Sequence, residues 1–278
     1  MSQRGLVLGG GGVTGIAWEI GLIAGLSDAG VQLTQADLVV GTSAGSVVGV
    51  QILSGAPLEE LYTGQLADAS SEIGARMSLA ALARFVLAGV WPRDDTRARA
   101  ALGRAALRAK TVPESDRKNV IESGLKLKTW PRQRLLIVTV DAESGEARVF
   151  DSSSGISLVD AVASSCAVPL VWPPMTVDGH RYMDGGVRSI ANADLAVGCE
   201  RVVVLAPVTA AVRRSGRIST QLAGLGADVR SIVVSPDAAA RRAIGRNVLD
   251  PSHRAAAARA GMRQAELAAS AAKSIWDG

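Results

Sequence analysis

The sequence predicts a single α/β domain, and three observations carry that expectation. Two apolar runs each pass through a glycine-containing turn into a helix: Gly5 to Leu8 through Gly9-Gly10-Gly11-Gly12, and Leu38-Val39-Val40 through Gly41-Thr42-Ser43-Ala44-Gly45. Further on, Arg201 to Leu205 and Ser231 to Ser235 are short, continuous, β-branched runs ending at Pro207 and Pro236. Such runs fit strands covered on both faces. Finally, 278 residues with 48% apolar and 20% charged content suit one large compact domain.

The remaining elements follow in order. A helix is expected from Val13 to Ala29 and another from Ser46 to Leu53. Helices over 57–69, 78–90 and 94–109 form an insertion spanning about 56–132, with Pro57 suited to a first turn and Asp94 to a cap. The steps Val112-Pro113 and Trp130-Pro131 mark boundaries, because a residue before proline is pushed away from helical geometry. Leu135 to Val140 and Ala147 to Phe150 read as adjacent strands across Glu143-Ser144-Gly145. Leu158 to Cys166 reads as a buried helix, and Asp178-Gly179 as the tight turn of a short strand pair leading to Asp184. From Asp237 to Trp276 the pattern is two helices separated near Asp250-Pro251. Neither a repeat nor a long linker divides the chain, so a single domain over 1–278 is expected.

No apolar run reaches the roughly 18 residues of a membrane span, and no secretion signal is read at the start, so a cytoplasmic protein is expected. Cys166 and Cys199 lack metal-site spacing and read as reduced buried thiols. The net charge is +4, but residues 84–134 hold 13 Lys or Arg against 5 Asp or Glu. That bias suits an anionic partner such as phospholipid, nucleic acid or an acidic substrate, or simply a solvated face. Within it, residues 79–91 are apolar and are followed by Arg93, Arg97, Arg99, Arg104, Arg108 and Lys110. Two readings stay open: a core helix with a solubilising exterior, or an apolar wedge beside a basic surface that makes peripheral contact with an anionic membrane.

The chemistry centres on Gly41-x-Ser43-x-Gly45. A serine on a sharp strand-to-helix turn is exposed to substrate, its neighbours must be small, and the helix that begins beside it brings N–H groups toward developing negative charge. Two other readings compete with ester cleavage. Gly10-Gly11-Gly12-Val13-Thr14-Gly15 satisfies the dinucleotide pattern of an oxidoreductase, yet the second strand carries its carboxylate, Asp37, at the wrong end to meet a ribose. A Ser-Asp-His triad must use His180 or His253, the only histidines. The first lies in a turn and the second at the start of a polar helix, so a base other than histidine is required. Consecutive glycines have another use beside a nucleophilic serine, as N–H donors of an oxyanion hole.

These residues carry a resemblance. The blocks Leu6 to Gly15, Gly41 to Gly45 and Asp184-Gly185-Gly186, with Ala163 to Pro169 and Trp172-Pro173-Pro174, resemble the patatin-like phospholipases. The resemblance implies a three-layer sandwich around a central, mostly parallel sheet. It also implies a Ser-Asp dyad of Ser43 and Asp184, an oxyanion hole from Gly10, Gly11 and Gly12, and structural roles for Gly41, Gly45, Gly185 and Gly186 around the turns. Acyl ester or phospholipid is then the substrate, no metal or organic cofactor is needed, and nucleic acid is not an expected partner. Gly185 and Gly186 are expected to allow close approach to the serine turn. Many relatives have Arg or Lys where this chain has Thr14, which removes a positive charge near the site. The alternative of another class is a non-catalytic lipid-binding or scaffold protein with the same fold.

Overall fold

The computed structural model describes residues 3–67, 94–211 and 213–278. The expected helix 78–90, and with it the apolar part of the wedge reading, lies outside the described residues.

Five strands run parallel, β1 (Arg4–Leu8), β2 (Leu38–Thr42), β3 (Arg134–Asp141), β7 (Arg201–Leu205) and β8 (Arg230–Val234), in the order β3-β2-β1-β7-β8. β4 (Ala147–Phe150) and β6 (His180–Asp184) both lie antiparallel to β3, and β5 (Met175–Val177) pairs with β6 across the Asp178-Gly179 turn. In β1, β2 and β7 successive side chains alternate between two buried faces. Leu6, Leu8, Val39, Val203 and Leu205 face one core. Val7, Leu38, Val40, Val202 and Val204 face another. A strand with period-two alternation and helices on each side buries both sets, which explains the unbroken apolar runs.

The larger core lies under α1 (Gly12–Asp28), α2 (Ala44–Ile52), α3 (Leu58–Leu66) and α6 (Leu158–Ser165), with α8 (Ala238–Ile244) and α9 (Arg254–Trp276) completing that layer. α9 packs along α1, where the buried Trp18 indole donates to Gln264 Oε1 at 3.1 Å. The opposite layer is thinner, made by residues 190–199 and α7 (Ile218–Ala223). The whole is a mostly parallel central sheet between two helical layers.

Most elements fall where the sequence puts them. Asp94 caps α4 (Asp95–Leu107), accepting the Arg97 N–H at 2.7 Å. Three expectations change. β8 is an edge strand and is not covered on both faces: the side chains of Arg230, Ser231 and Val233 are exposed. A helix, α5 (Glu114–Gly124), occupies the stretch where only a proline boundary was read. Pro113 before it, with Glu114 and Asp116 in its first turn, is the signal that was available. Lastly, His180 opens strand β6 instead of lying in the turn.

The registers contain the feature that builds the site. Thr42, at the end of β2, pairs with Val138, and Asp184, at the end of β6, pairs with the next residue, Thr139. Because β4 takes the other edge at both positions, β2 and β6 share one edge of β3 and meet end to end. Gly185 continues directly over β3, where an added Cβ would stand 2.3 Å from the Val138 carbonyl oxygen. The close approach is therefore to β3 and not, as the sequence suggested, to the serine turn. We expect Gly185→Ala to cost about 3 kcal/mol or more, the upper end for overpacking against a backbone that cannot yield. Urea unfolding measures this; a loss below about 0.5 kcal/mol contradicts so tight a contact.

Candidate active site

Ser43 sits between β2 and α2 with φ 52° and ψ −117°, a backbone region that residues with a Cβ rarely occupy. Such a conformation costs on the order of 1–3 kcal/mol and persists only where the surroundings hold it. Here they do. The Ser43 N–H donates to Ser165 Oγ at 2.9 Å, and that hydroxyl donates in turn to the Val138 carbonyl at 2.6 Å. The Ser43 carbonyl accepts from Ser46 Oγ at 2.6 Å and from Cys166 Sγ at 3.4 Å. Next in the chain, Gly45 is pressed on β1, with an added Cβ 2.1 Å from the Leu8 carbonyl oxygen. Ser165 and Cys166, at the end of α6, thus brace the elbow, and the Ala167 carbonyl accepts the Asp184 N–H at 3.0 Å.

Asp184 is 5% exposed and Ser43 is 9% exposed. Burial pushes the Asp184 carboxyl up to about 6, while the Ser43 hydroxyl, the Gly186 N–H and the Arg117 guanidinium pull it down. The Gly186 N–H reaches Asp184 Oδ1 at 2.7 Å, so Gly186 serves as a donor to the carboxylate. Asn192, fully buried, ties the two arms together: its Nδ2 reaches Thr42 Oγ1 at 3.0 Å and the carbonyls of Ser189 at 2.8 Å and Gly185 at 3.3 Å. Arg188 holds Asn192 Oδ1 at 2.6 Å and pairs with Asp194. Neither Asn192 nor Arg188 was singled out from sequence, because nothing in the local pattern announces a bracket between turns 150 residues apart.

The glycine loop lies beside the elbow, joined to it by the Gly45 N–H, which donates to the Gly9 carbonyl at 3.0 Å. Of the three glycines proposed as donors, Gly10 has its N–H committed to the Ile190 carbonyl at 2.7 Å. Among the described residues the N–H groups of Gly11, Gly12 and Ala44 have no acceptor. Beneath the loop, the buried Glu19 of α1 accepts the Gly9 N–H at 3.1 Å, and burial holds its carboxyl well above the usual range. A single acid inside the apolar run Ile16 to Ile20 was its only trace in the sequence.

Both rival readings meet obstacles. The first turn of α1 is capped by the protein itself, for the Val248 carbonyl takes the Thr14 N–H at 3.2 Å and the Thr14 hydroxyl at 3.2 Å. Asp37 accepts the Arg4 N–H at 2.7 Å at the opposite end of the strands. His180 Nδ1 pairs with Asp141 at 3.2 Å, and His253 Nδ1 bonds the Ala243 carbonyl at 2.8 Å. His253 stands at the N-cap position of α9, half-buried over Gly245 and with no side-chain cap bond.

A strained serine between strand and helix thus lies beside a buried carboxylate and a glycine loop in a mostly parallel α/β fold. The family model for patatin-like phospholipases matches residues 6–197, and the chain belongs to that family. No curated protein matches the sequence. Among solved structures, VipD from Legionella pneumophila is similar over 98% of this chain and 67% of its own, with TM-score 0.50 and 15% identity, which supports the fold. The type III effector protein ExoU covers 98% of this chain with TM-score 0.41 and 14% identity, and the chain spans about half of it, 54%. The family supports lipid acyl hydrolysis as the class of activity. Among the described residues no helix is long and apolar enough to cross a membrane.

The raised Asp184 carboxyl has a consequence for stability. Its folded value, about 6, lies above the ordinary 3.8, so the folded protein holds this proton more tightly than the unfolded chain does. The stability gained is fully present below about pH 4 and is lost as the pH rises through about 6, leaving a buried charge that costs about 3 kcal/mol. Asp184→Asn is therefore expected to stabilise the fold by up to about 3 kcal/mol at pH 8 and by little at pH 4. Urea unfolding at the two pH values checks it; a variant destabilised equally at both contradicts the assignment.

Proposed function

We propose that the chain hydrolyses lipid acyl esters through a Ser43-Asp184 dyad and an acyl-enzyme. The observation that carries this reading is a strained, braced Ser43 facing a buried carboxylate whose pKa stands at about 6, near enough to neutrality for a base. In this mechanism Asp184 takes the Ser43 hydroxyl proton as Oγ bonds to the ester carbonyl carbon. The N–H groups of Gly11, Gly12 and Ala44 then stabilise the oxyanion, each well-aimed donor worth about 3 kcal/mol or more. Collapse of the tetrahedral intermediate expels the alkoxide, which takes the proton from Asp184. Water, deprotonated by Asp184, next attacks the acyl-enzyme; collapse releases the fatty acid and returns the proton to Ser43. Gly41, Gly45, Gly185 and Gly186 serve geometry: three allow the close packing of the turns and Gly186 orients the carboxylate. No step calls for a metal or organic cofactor.

Ser43→Ala and Asp184→Asn are each expected to lower p-nitrophenyl ester turnover at least about 10²-fold with the fold intact, and the double variant to fall little further. Additive losses, or a rate near native in either variant, sink the dyad. Since the ionised carboxylate is the active form, kcat/KM should rise with pH, bend near 6 and level above it. A profile falling across that range contradicts Asp184 as base.

The basic side of α4 supports peripheral contact with an anionic membrane as part of the same reading. Arg97, Arg104 and Arg108 are exposed and follow one another at spacings that keep them on one side of the helix, whereas Arg99 is turned inward, its Nε donating to the Gly145 carbonyl at 2.6 Å. With about 1 kcal/mol per cation, changing the three exposed arginines to Glu should weaken co-sedimentation with anionic vesicles on the order of 10²-fold at low salt. Equal binding by the native and substituted proteins overturns this part.

A further inference from the structure

Arg117, on α5, favours the ionised Asp184 carboxyl and makes no hydrogen bond to it among the described residues. Its guanidinium lies over the Trp172 ring, 4.1 Å from the centroid, and Trp172 is buried in the segment that links the α6 brace to β5. Its charge acts on Cys166 and Asp184, the two groups on either side of the elbow. Lys118, next to it, has found an acid in Asp160 at 2.6 Å. Glu114, one turn earlier, is taken up by Thr176, whose Oγ1 reaches it at 2.9 Å. Arg117 has no such partner: its Nε is buried without an acceptor, and among the described residues no acceptor is hydrogen-bonded to its terminal nitrogens. A stacked guanidinium uses its flat face on the ring and keeps its N–H edge in plane, ready for a second group. Nε is the one donor of Arg117 that is buried and unmatched; the terminal nitrogens are open to solvent, where an arriving anion can meet them.

We propose that Arg117 receives the anionic phosphate of a glycerophospholipid substrate, with Trp172 as the platform that fixes its orientation. Planar N–H pairs match phosphate oxygens, whereas water and neutral esters leave the match unmade. In a glycerophospholipid the phosphate is joined to the acyl ester through the glycerol alone. A carbonyl at Ser43 therefore brings the phosphate into the neighbourhood of the serine and of Arg117, whose charge acts on Asp184. This deepens the ester-hydrolase reading and rests on it for the meaning of the site: a phosphorylated lipid is preferred to a neutral ester through Arg117, a residue on an element separate from the glycine loop and the dyad.

The test compares the native protein with Arg117→Met and Arg117→Lys on two soluble substrates, dihexanoyl phosphatidylglycerol below its micelle concentration and p-nitrophenyl butyrate. Losing the cation also removes a group that favours ionised Asp184, so both substrates are compared on the alkaline plateau. The expected result is that Arg117→Met lowers the phospholipid-to-ester ratio of kcat/KM by about tenfold or more, chiefly through KM, with Arg117→Lys in between. An unchanged ratio overturns the proposal and leaves Arg117 as a support of Asp184. Should neither substrate be turned over by the native protein, the hydrolase reading fails. The receptor is then judged by calorimetric titration of the same phospholipid and of inorganic phosphate into native and Arg117→Lys protein. Binding of the lipid that weakens about tenfold with Lys sustains it. Equal binding by both proteins, or inorganic phosphate bound as tightly as the lipid, refutes it.

Discussion

The site depends on one constraint, the shared edge of β3. That edge is taken first by β2, running parallel, and then by β6, running the other way, so the last residues of both strands face each other across a single step of register. Ser43 follows one end and Asp184 is the other. Slipping β6 by a single residue would turn Asp184 to the opposite face of the sheet, because side chains alternate. Much of the polar network acts to prevent that slip: Thr139 Oγ1 donates to the Met183 carbonyl at 2.7 Å, the Ala167 carbonyl takes the Asp184 N–H, and Asn192 spans both arms.

Around this junction, stability and chemistry oppose each other. A serine with positive φ and a carboxylate out of water are each unfavourable, and both are kept by hydrogen bonds to buried neighbours rather than by contacts with one another alone. The apolar cores supply the rigidity. α1 and α9 on one side, and the thinner layer of α7 and residues 190–199 on the other, fix the strands whose ends carry the site. Without that frame, water would reach the Asp184 carboxyl, and its pKa would fall back toward the ordinary value.

How much of this was legible in the sequence follows from the range of each interaction. The elbow is a local pattern, apolar strand, small residues, apolar helix, and it was read to within two residues. Asp184 was found only as a motif, through resemblance, since its place beside Ser43 is fixed by two registers, Thr42 with Val138 and Thr139 with Asp184, that join segments distant in sequence. The same limit hid Asn192, Arg188 and the use of the Gly10 N–H by Ile190, because an acceptor in a distant loop leaves no mark beside the donor. α5 could have been read from Pro113 and its acidic first turn, and missing it also hid Arg117. β8 was misjudged because apolar content alone does not tell a central strand from an edge. The rival readings of the glycine loop were already separable in sequence through Asp37, at the wrong end of β2 to meet a ribose, and the bond it accepts from the Arg4 N–H agrees.

The central claim is that Ser43 is a nucleophile activated by Asp184. The most direct measurement is intact-mass and peptide-level analysis after exposure to an alkyl fluorophosphonate, which phosphonylates activated serines. One adduct per chain, on the peptide containing Ser43, formed by the native protein and not by Asp184→Asn over the same exposure, is the predicted result. Contradiction comes from no adduct, from an adduct on another serine such as Ser46 or Ser165, or from labelling of Ser43 that proceeds equally fast without the carboxylate.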